Sequence, residues 1–242
     1  MLSEVSFGRA KDSSDTLGEC EFTLPDGRVL SLDGKIDRLD VGEEAAIVFD
    51  YKRRSTSFGW GGFYHGLDMQ LPIYMLAVRK AAGEHPKNIA GAFFMPIEVS
   101  PARSTLAELA KRSEAFDYKA KGIFDGRFAH HLDGQASKDS KYYNFYVTKD
   151  GQPYGSYGTR GALKPDAFDK VLQFAEDKIV RLAAEISSGK IDITPYRLNN
   201  NSPCSNCDFK SVCRFDWQIN HYNSLESVNK GAVLEKLGGD DG

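Results

Sequence analysis

The run Ala46-Ile-Val-Phe-Asp-Tyr-Lys52 ends an apolar, β-branched and aromatic segment with two charged side chains. That composition predicts a strand, and successive side chains of a strand point to opposite faces. Asp50 and Lys52 therefore share a face, with Phe49 and Tyr51 on the other. The run Leu32 to Leu39 predicts a partner strand, joined through the short polar connection Val41-Gly-Glu-Glu-Ala45. A hairpin symmetric about Glu43 and Glu44 pairs residues whose numbers add to 87. Asp37 then faces Asp50, with Cβ atoms roughly 5 Å apart. Like charges set opposite each other destabilise a sheet unless a cation lies between them, and Mg²⁺ is held through one or two carboxylates plus substrate phosphates. Out of context, Asp-x-Lys at a strand end is a solvated surface pair. The expected faces argue otherwise: Ile36, Ile47, Phe49 and Tyr51 fall together on a core side, which gathers Asp37, Asp50 and Lys52 on the other. The pattern predicts a metal-dependent phosphodiester-cleaving site carried by a hairpin.

With 242 residues, 41% of them hydrophobic, the chain can bury one sizeable core. It has no run of the roughly 18 apolar residues that a membrane helix needs and no signal-peptide pattern, so a soluble cytoplasmic protein without membrane contact is expected. The net charge of −3 does not announce a nucleic-acid partner, which leaves Lys52-Arg53-Arg54 as the local basic strip. Four cysteines, at 20, 204, 207 and 213, are too few and too clustered for a disulfide scaffold. The spacing Cys204-x2-Cys207-x5-Cys213 instead points to a metal or cluster, zinc with three or four thiolates being one reading.

Strands are expected over Glu4 to Phe7, Glu19 to Leu24 (closed by the turn Pro25-Asp-Gly27) and Val29 to Asp40, forming an antiparallel meander with Ala46 to Lys52. Ser55 to Tyr64 reads as a loop. Leu67, Leu71, Tyr74, Met75 and Val78 recur at helical spacing, with Pro72 forcing a start near Asp68 or a kink. Asn88 to Ile97 has the composition of a buried strand. Ser104 to Glu114 is expected to be a short helix, and Asp166 to Ser188 a long one. Its apolar stripe is Phe168, Val171, Leu172, Ala175, Ile179, Leu182 and Ile186, and Gly189 is its C-terminal stop. The order predicts an α/β fold with a mixed central sheet flanked by helices. Gln70 and Tyr74, four apart, share a helix face. Spacing alone leaves Tyr74 readable as a core tyrosine, whereas an amide on an apolar face needs partners. His65, His85, His130, His131 and His221 are expected at the surface.

Four blocks in order, Gly34-Lys-Ile-Asp-Arg38, Phe49-Asp-Tyr-Lys52, Gln70-Leu-Pro-Ile-Tyr74 and Pro203-Cys-Ser-Asn-Cys-Asp-Phe-Lys-Ser-Val-Cys-Arg-Phe-Asp216, resemble the RecB-like PD-(D/E)xK nucleases, in particular the nuclease domains of the AddB type. The likeness runs from about Glu4 to Asp216. It implies a restriction-endonuclease-like core with Mg²⁺ (or Mn²⁺) on Asp37, Asp50 and the Tyr51 carbonyl. It also implies that Lys52 meets the attacking water or a phosphate, and that Gln70 and Tyr74 position DNA or the lysine. For Glu4, where relatives often carry an acid, a solvated strand end is the favoured reading. The resemblance makes Cys204, Cys207 and Cys213 ligands of a structural [4Fe–4S] cluster whose fourth ligand precedes Met1, with Cys20 a buried strand residue. The cluster would then be incomplete in this chain. The chain is accordingly expected to be a piece of a larger bacterial protein that lacks the family's leading helix and its histidine. Residues 1–216 would form the nuclease domain, 196–216 its cysteine-bearing staple and 217–242 a C-terminal tail. The implied partners are single-stranded or frayed DNA and an AddA-type helicase–nuclease subunit, with ATP bound elsewhere in that complex. Two rivals are an idle DNA-binding module of the same fold and a metal-stapled scaffold.

Overall fold

Strand β5 (Ala46–Lys52) is apolar at every position from Ala46 to Phe49 because it is buried on both sides. That is the signature of an interior strand covered on both faces. The computed structural model of the protein describes residues 1–9, 15–81, 88–98 and 119–238. The helix expected over Ser104 to Glu114 lies outside them, as does His85. Around β5 stand β1 (Leu2–Phe7), β4 (Gly34–Val41), β6 (Ile89–Pro96), β7 (Lys121–Asp125) and β8 (Ala162–Leu163), in the spatial order β1-β4-β5-β6-β7-β8. β4 and β5 are antiparallel, β5 and β6 parallel, β6 and β7 antiparallel, and β7 and β8 parallel, so the sheet is mixed. The short strands β2 (Glu21–Thr23) and β3 (Val29–Ser31) pair only with each other. The expected four-strand meander is thereby corrected. Leu32 and Asp33 break the run from Val29, and β3 leaves for the separate hairpin while β4 joins the large sheet.

The hairpin register is the expected one from Arg38 to Val41, but the ladder stops at the Arg38–Phe49 pair, short of the expected Asp37–Asp50 pair. Arg38 faces Phe49, Leu39 faces Val48, Asp40 faces Ile47 and Val41 faces Ala46, each pair adding to 87. The expected face assignment does not hold. Ile36 and Leu39 both enter the main core with Val48, so strict alternation slips once along β4, opposite Glu4, whose φ is +55°. Phe49 packs into a second cluster with Phe93, Phe124 and Phe145 on the other side of the sheet. Tyr51, expected in the core, is 42% exposed at the strand end. The face bearing Asp50 and Lys52 is thus a continuation of the main core surface, reached where that core runs out.

A chain that must run from β5 to a parallel neighbour needs a crossover. Here it carries α1 (Trp60–His65) and α2 (Gln70–Lys80), and α2 packs on β5 and β6. The region expected to be a loop therefore contains α1 from Trp60 onward. Pro72 causes no kink: it is the third residue of α2, where the amide has no intrahelical acceptor to lose. Leu67, expected on the helix, is exposed in the turn before it. A short helix α3 (Ala129–Leu132) follows β7.

The long helix α4 (Pro165–Ser187) begins on Pro165 and ends at Gly189, whose φ is +79°. It buries Phe168, Val171, Leu172, Ala175 and Ile179 and is tied to α2 by Arg79–Asp169 and Lys80–Glu176. Its last turn has run past the core, which leaves Ile186 exposed.

Residues 217–238, expected as a tail, are built into the fold. β10 (Asn223–Leu225) pairs with β9 (Tyr196–Leu198), and α6 (Lys230–Lys236) buries Val233 and Leu234 against α1. Between β9 and β10 in sequence lies α5 (Lys210–Cys213). The apolar pair Val233-Leu234 behind the N-cap Asn229, which accepts from the Ala232 amide at 3.0 Å, was the readable signal. Among the described residues no helix is long and apolar enough to cross a membrane.

Candidate active site

Because the chain leaves β5 at its carboxyl end and re-enters the helical layer there, the first turn of α2 falls over Asp50 and Lys52. Gln70 occupies that turn and makes three bonds. Its Nε2 donates to Asp50 Oδ1 at 2.7 Å and to the Tyr74 hydroxyl at 3.0 Å, and its Oε1 accepts from Lys52 Nζ at 2.8 Å. The partners of this half-buried amide are therefore the two charged residues of the strand and the tyrosine one helical turn on. Lys52 Nζ also lies 2.6 Å from Asp50 Oδ2 and 5.1 Å above the ring of Phe94 on β6.

Asp50 is 3% exposed. Burial raises its carboxyl above the usual range, the ammonium of Lys52 pulls it back, and the charge of Asp37 raises it again. Asp37 accepts the Tyr51 amide through Oδ2 at 2.8 Å, which brings the β4 carboxylate onto the end of β5. Burial likewise raises the Tyr74 hydroxyl, and the Gln70 bond opposes it.

Asp50 Oδ2 is buried and has no aligned hydrogen bond, its near neighbour being the Lys52 ammonium. A desolvated carboxylate oxygen with spare lone pairs, a second carboxylate within reach of its charge and a wet strand end suit a hard divalent cation that keeps several waters. Two protein carboxylates are what this site supplies, since no cluster of three or more His, Cys, Asp or Glu side chains suited to a cation occurs among the described residues. Cys204, Cys207 and Cys213, half-buried free thiols between β9 and the end of α5, are likewise not gathered into such a group. Cys20 is buried in the main core. Glu4 is exposed and paired with Lys35 at 2.6 Å.

Two neighbours were not foreseen. Asp68, before α2, accepts the Gly59 amide at 3.1 Å. Burial raises its carboxyl and the charge of Lys52 lowers it. Its place two residues before Gln70 was a readable hint. Phe94 was not readable, because the parallel register of β5 on β6 leaves no local mark in the sequence.

A family model of the PD-(D/E)XK nuclease superfamily matches residues 2–214. Among curated proteins the chain is similar to the AddB subunit of the ATP-dependent helicase/deoxyribonuclease of Bacillus cereus, with 29% identity over 251 aligned positions that cover 97% of this chain and 21% of the relative. The protein of the same name from Geobacillus kaustophilus is 30% identical over 258 positions, covering 97% and 21%. That of Exiguobacterium sibiricum is 27% identical over 252, covering 98% and 21%. The chain thus spans about a fifth of the length of the curated relatives it matches. The family match takes in β4, β5 and α2, the three elements that bring Asp37, Asp50, Lys52 and Gln70 together, and the chain belongs to the PD-(D/E)XK nuclease superfamily.

Proposed function

We propose that the chain is a divalent-metal-dependent deoxyribonuclease domain that hydrolyses phosphodiester bonds of single-stranded or frayed DNA. Asp37 and Asp50 would hold Mg²⁺ or Mn²⁺ together with the Tyr51 carbonyl. The buried Asp50 Oδ2, close to a cation yet without an aligned hydrogen bond, is the observation that carries this reading. When bound, the metal supplies Lewis-acid polarisation of the phosphate and a more acidic water.

The chain's own residues do the rest. Gln70 fixes the Lys52 ammonium and Asp50 Oδ1 relative to each other through one amide. Lys52, partly desolvated above Phe94, carries the positive charge to the developing negative charge on phosphate or to the attacking water. Tyr74 holds the Gln70 amide by accepting at 3.0 Å. The similarity to AddB of the helicase/deoxyribonuclease supports a place in a larger helicase–nuclease. That assembly would process DNA breaks for recombinational repair in the bacterial cytoplasm with an AddA-type subunit, ATP being bound elsewhere in the complex. Cys204, Cys207 and Cys213 have the sequence spacing of ligands to a structural [4Fe–4S] cluster, but the fold does not gather the three thiols into a group that would hold one. Within the chain the nuclease fold takes in β10 and α6 beyond residue 216, since Val233 and Leu234 lie in its main core.

The test is cleavage of a labelled oligonucleotide with Mg²⁺ against EDTA, for the wild type and Lys52→Ala. Mg²⁺-dependent cleavage lost in Lys52→Ala is expected. Cleavage that survives the substitution refutes the assignment, and binding without any cleavage by the wild type selects an idle DNA-binding module.

A further inference from the structure

Strand pairing carries the active face beyond Asp50. Asp50 pairs with Phe94, and Phe94 with Lys121, so the three residues lie in one row across β5, β6 and β7. Directly paired residues share a face of the sheet, and neighbouring strands are about 4.8 Å apart. Lys121 thus projects on the side of Asp50 and Lys52, its backbone roughly 10 Å from that of Asp50. Three cations around it are paired: Arg53 with Glu98 at 3.2 Å, and Lys119 and Arg160 both with the single carboxylate of Asp139, at 3.0 and 3.2 Å. Lys121 itself has no ion-pair partner among the described residues.

Beside it a cleft of about 390 Å³ opens between the segment after β5 and the start of β7, lined by Ser57, Phe58, Trp60, Gly122, Asn144 and Arg160 among others. Phe58 and Trp60 meet edge to face at 5.1 Å. Gly122, next to Lys121, lets β7 approach β6 closely: a Cβ there would collide with the Ala92 carbonyl. The charged groups of the cleft are already engaged. Lys230 Nζ donates to the carbonyls of Tyr157, Arg160 and Ala162, and Arg160 donates to Asn144 at 2.9 Å. What remains is an aromatic slot, its own cations held by protein partners, beside the Lys121 cation, which matches the alternation of base and phosphate along a single strand.

We propose that this strip is a subsite for a nucleotide flanking the scissile phosphate of single-stranded DNA, with Lys121 taking its phosphate and the Phe58–Trp60 cleft its base. The inference rests on the nuclease reading and adds a direction to it: the strand leaves the catalytic residues across β6 toward β8, over Phe94.

The experiment measures binding of a labelled oligothymidylate in EDTA over a range of salt, for the wild type, Lys121→Ala and Lys121→Arg. Each phosphate of a single strand that goes unneutralised makes the fall of log affinity with log salt shallower by about 0.7. Over a tenfold rise in salt the ratio of wild-type to Lys121→Ala affinity should therefore shrink about fivefold, and Lys121→Arg should restore the wild-type slope. A Lys121→Ala slope equal to that of a wild type that binds and cleaves overturns the subsite alone. A wild type that neither binds the strand nor cleaves it with Mg²⁺ overturns the subsite and the nuclease reading together.

Discussion

Replacing Lys52 by methionine keeps an unbranched side chain and removes the ammonium, which bonds Gln70 and lies 5.1 Å from the Phe94 ring. The structure then leaves Asp50, 3% exposed, without the cation 2.6 Å from its Oδ2. Breaking a buried pair from one side costs about 3–5 kcal/mol. The Lys52 side chain retains 32% exposure, so screening reduces the expected loss to about 2 kcal/mol at pH 8 without metal. For a chain of this size that lowers the melting temperature by about 4–8 °C.

The pH dependence gives the test its sharpness. The folded carboxyl of Asp50 is already raised, so the folded state binds that proton more tightly than the unfolded one. Stability therefore falls as pH rises from the ordinary carboxylate value of about 3.9 up through the raised one. Lys52→Met removes the contribution that pulls the value down and deepens the fall. The difference between wild type and variant should be largest at pH 8 and shrink toward zero near pH 4. Millimolar Mg²⁺ should raise the melting temperature of the variant more than that of the wild type, because Asp50 no longer has an internal cation. Thermal melts at the two pH values, with EDTA and with Mg²⁺, decide it. A loss of equal size at both pH values would falsify the account through Asp50 and leave the contacts with Gln70 and the Phe94 ring as the role of Lys52.

Asp50→Asn keeps an oxygen for Gln70 and removes a buried charge, so in EDTA it should melt at or above the wild-type temperature while Mg²⁺-dependent cleavage falls by at least about 10²-fold. A stability loss above about 2 kcal/mol would make the aspartate structural. Lys230, 2% exposed, is pushed down to about 7 by burial, while its three carbonyl acceptors favour the ammonium. Lys230→Met leaves those carbonyls unmet and should cost about 2–4 kcal/mol in urea unfolding; an equally stable variant refutes this. Since the folded amine gives up its proton before the unfolded one, wild-type stability should rise between about pH 7 and 10, and the variant should lack that rise. Cys20→Ser should cost about 1–3 kcal/mol through a hydroxyl buried in the core and leave the iron or zinc content of the protein unchanged. Disappearance of a visible sulfur-to-iron absorbance band on this substitution would instead place Cys20 among the cluster ligands.

Local sequence determined those features that depend on neighbours along the chain. The length and symmetry of Val41 to Ala45 set the β4–β5 register, and hence that Arg38 meets Phe49. The spacing of Phe168, Val171, Leu172 and Ala175 set a helix with one buried side, and Gly189 set its end. Gln70 stood out because an amide on an apolar face has to be satisfied, and the structure satisfies it with Lys52, Asp50 and Tyr74.

The tertiary structure decided what depends on residues far apart in sequence. A strand covered on one face and a strand covered on both can carry the same few side chains, so Tyr51 looked like core and is exposed, while Ile36 looked to share a face with Phe49 and enters the other core with Leu39 and Val48. Val29 to Asp40 reads as one strand locally, and only the competition between pairing with β2 and pairing with β1 and β5 divides it. Likewise Val233 and Leu234 looked like part of a tail until α1 supplied the surface that buries them. The elevated carboxyl of Asp50 belongs to this second class. Its largest cause is burial, and burial is set by α2 and β6, which the sequence of β5 does not specify.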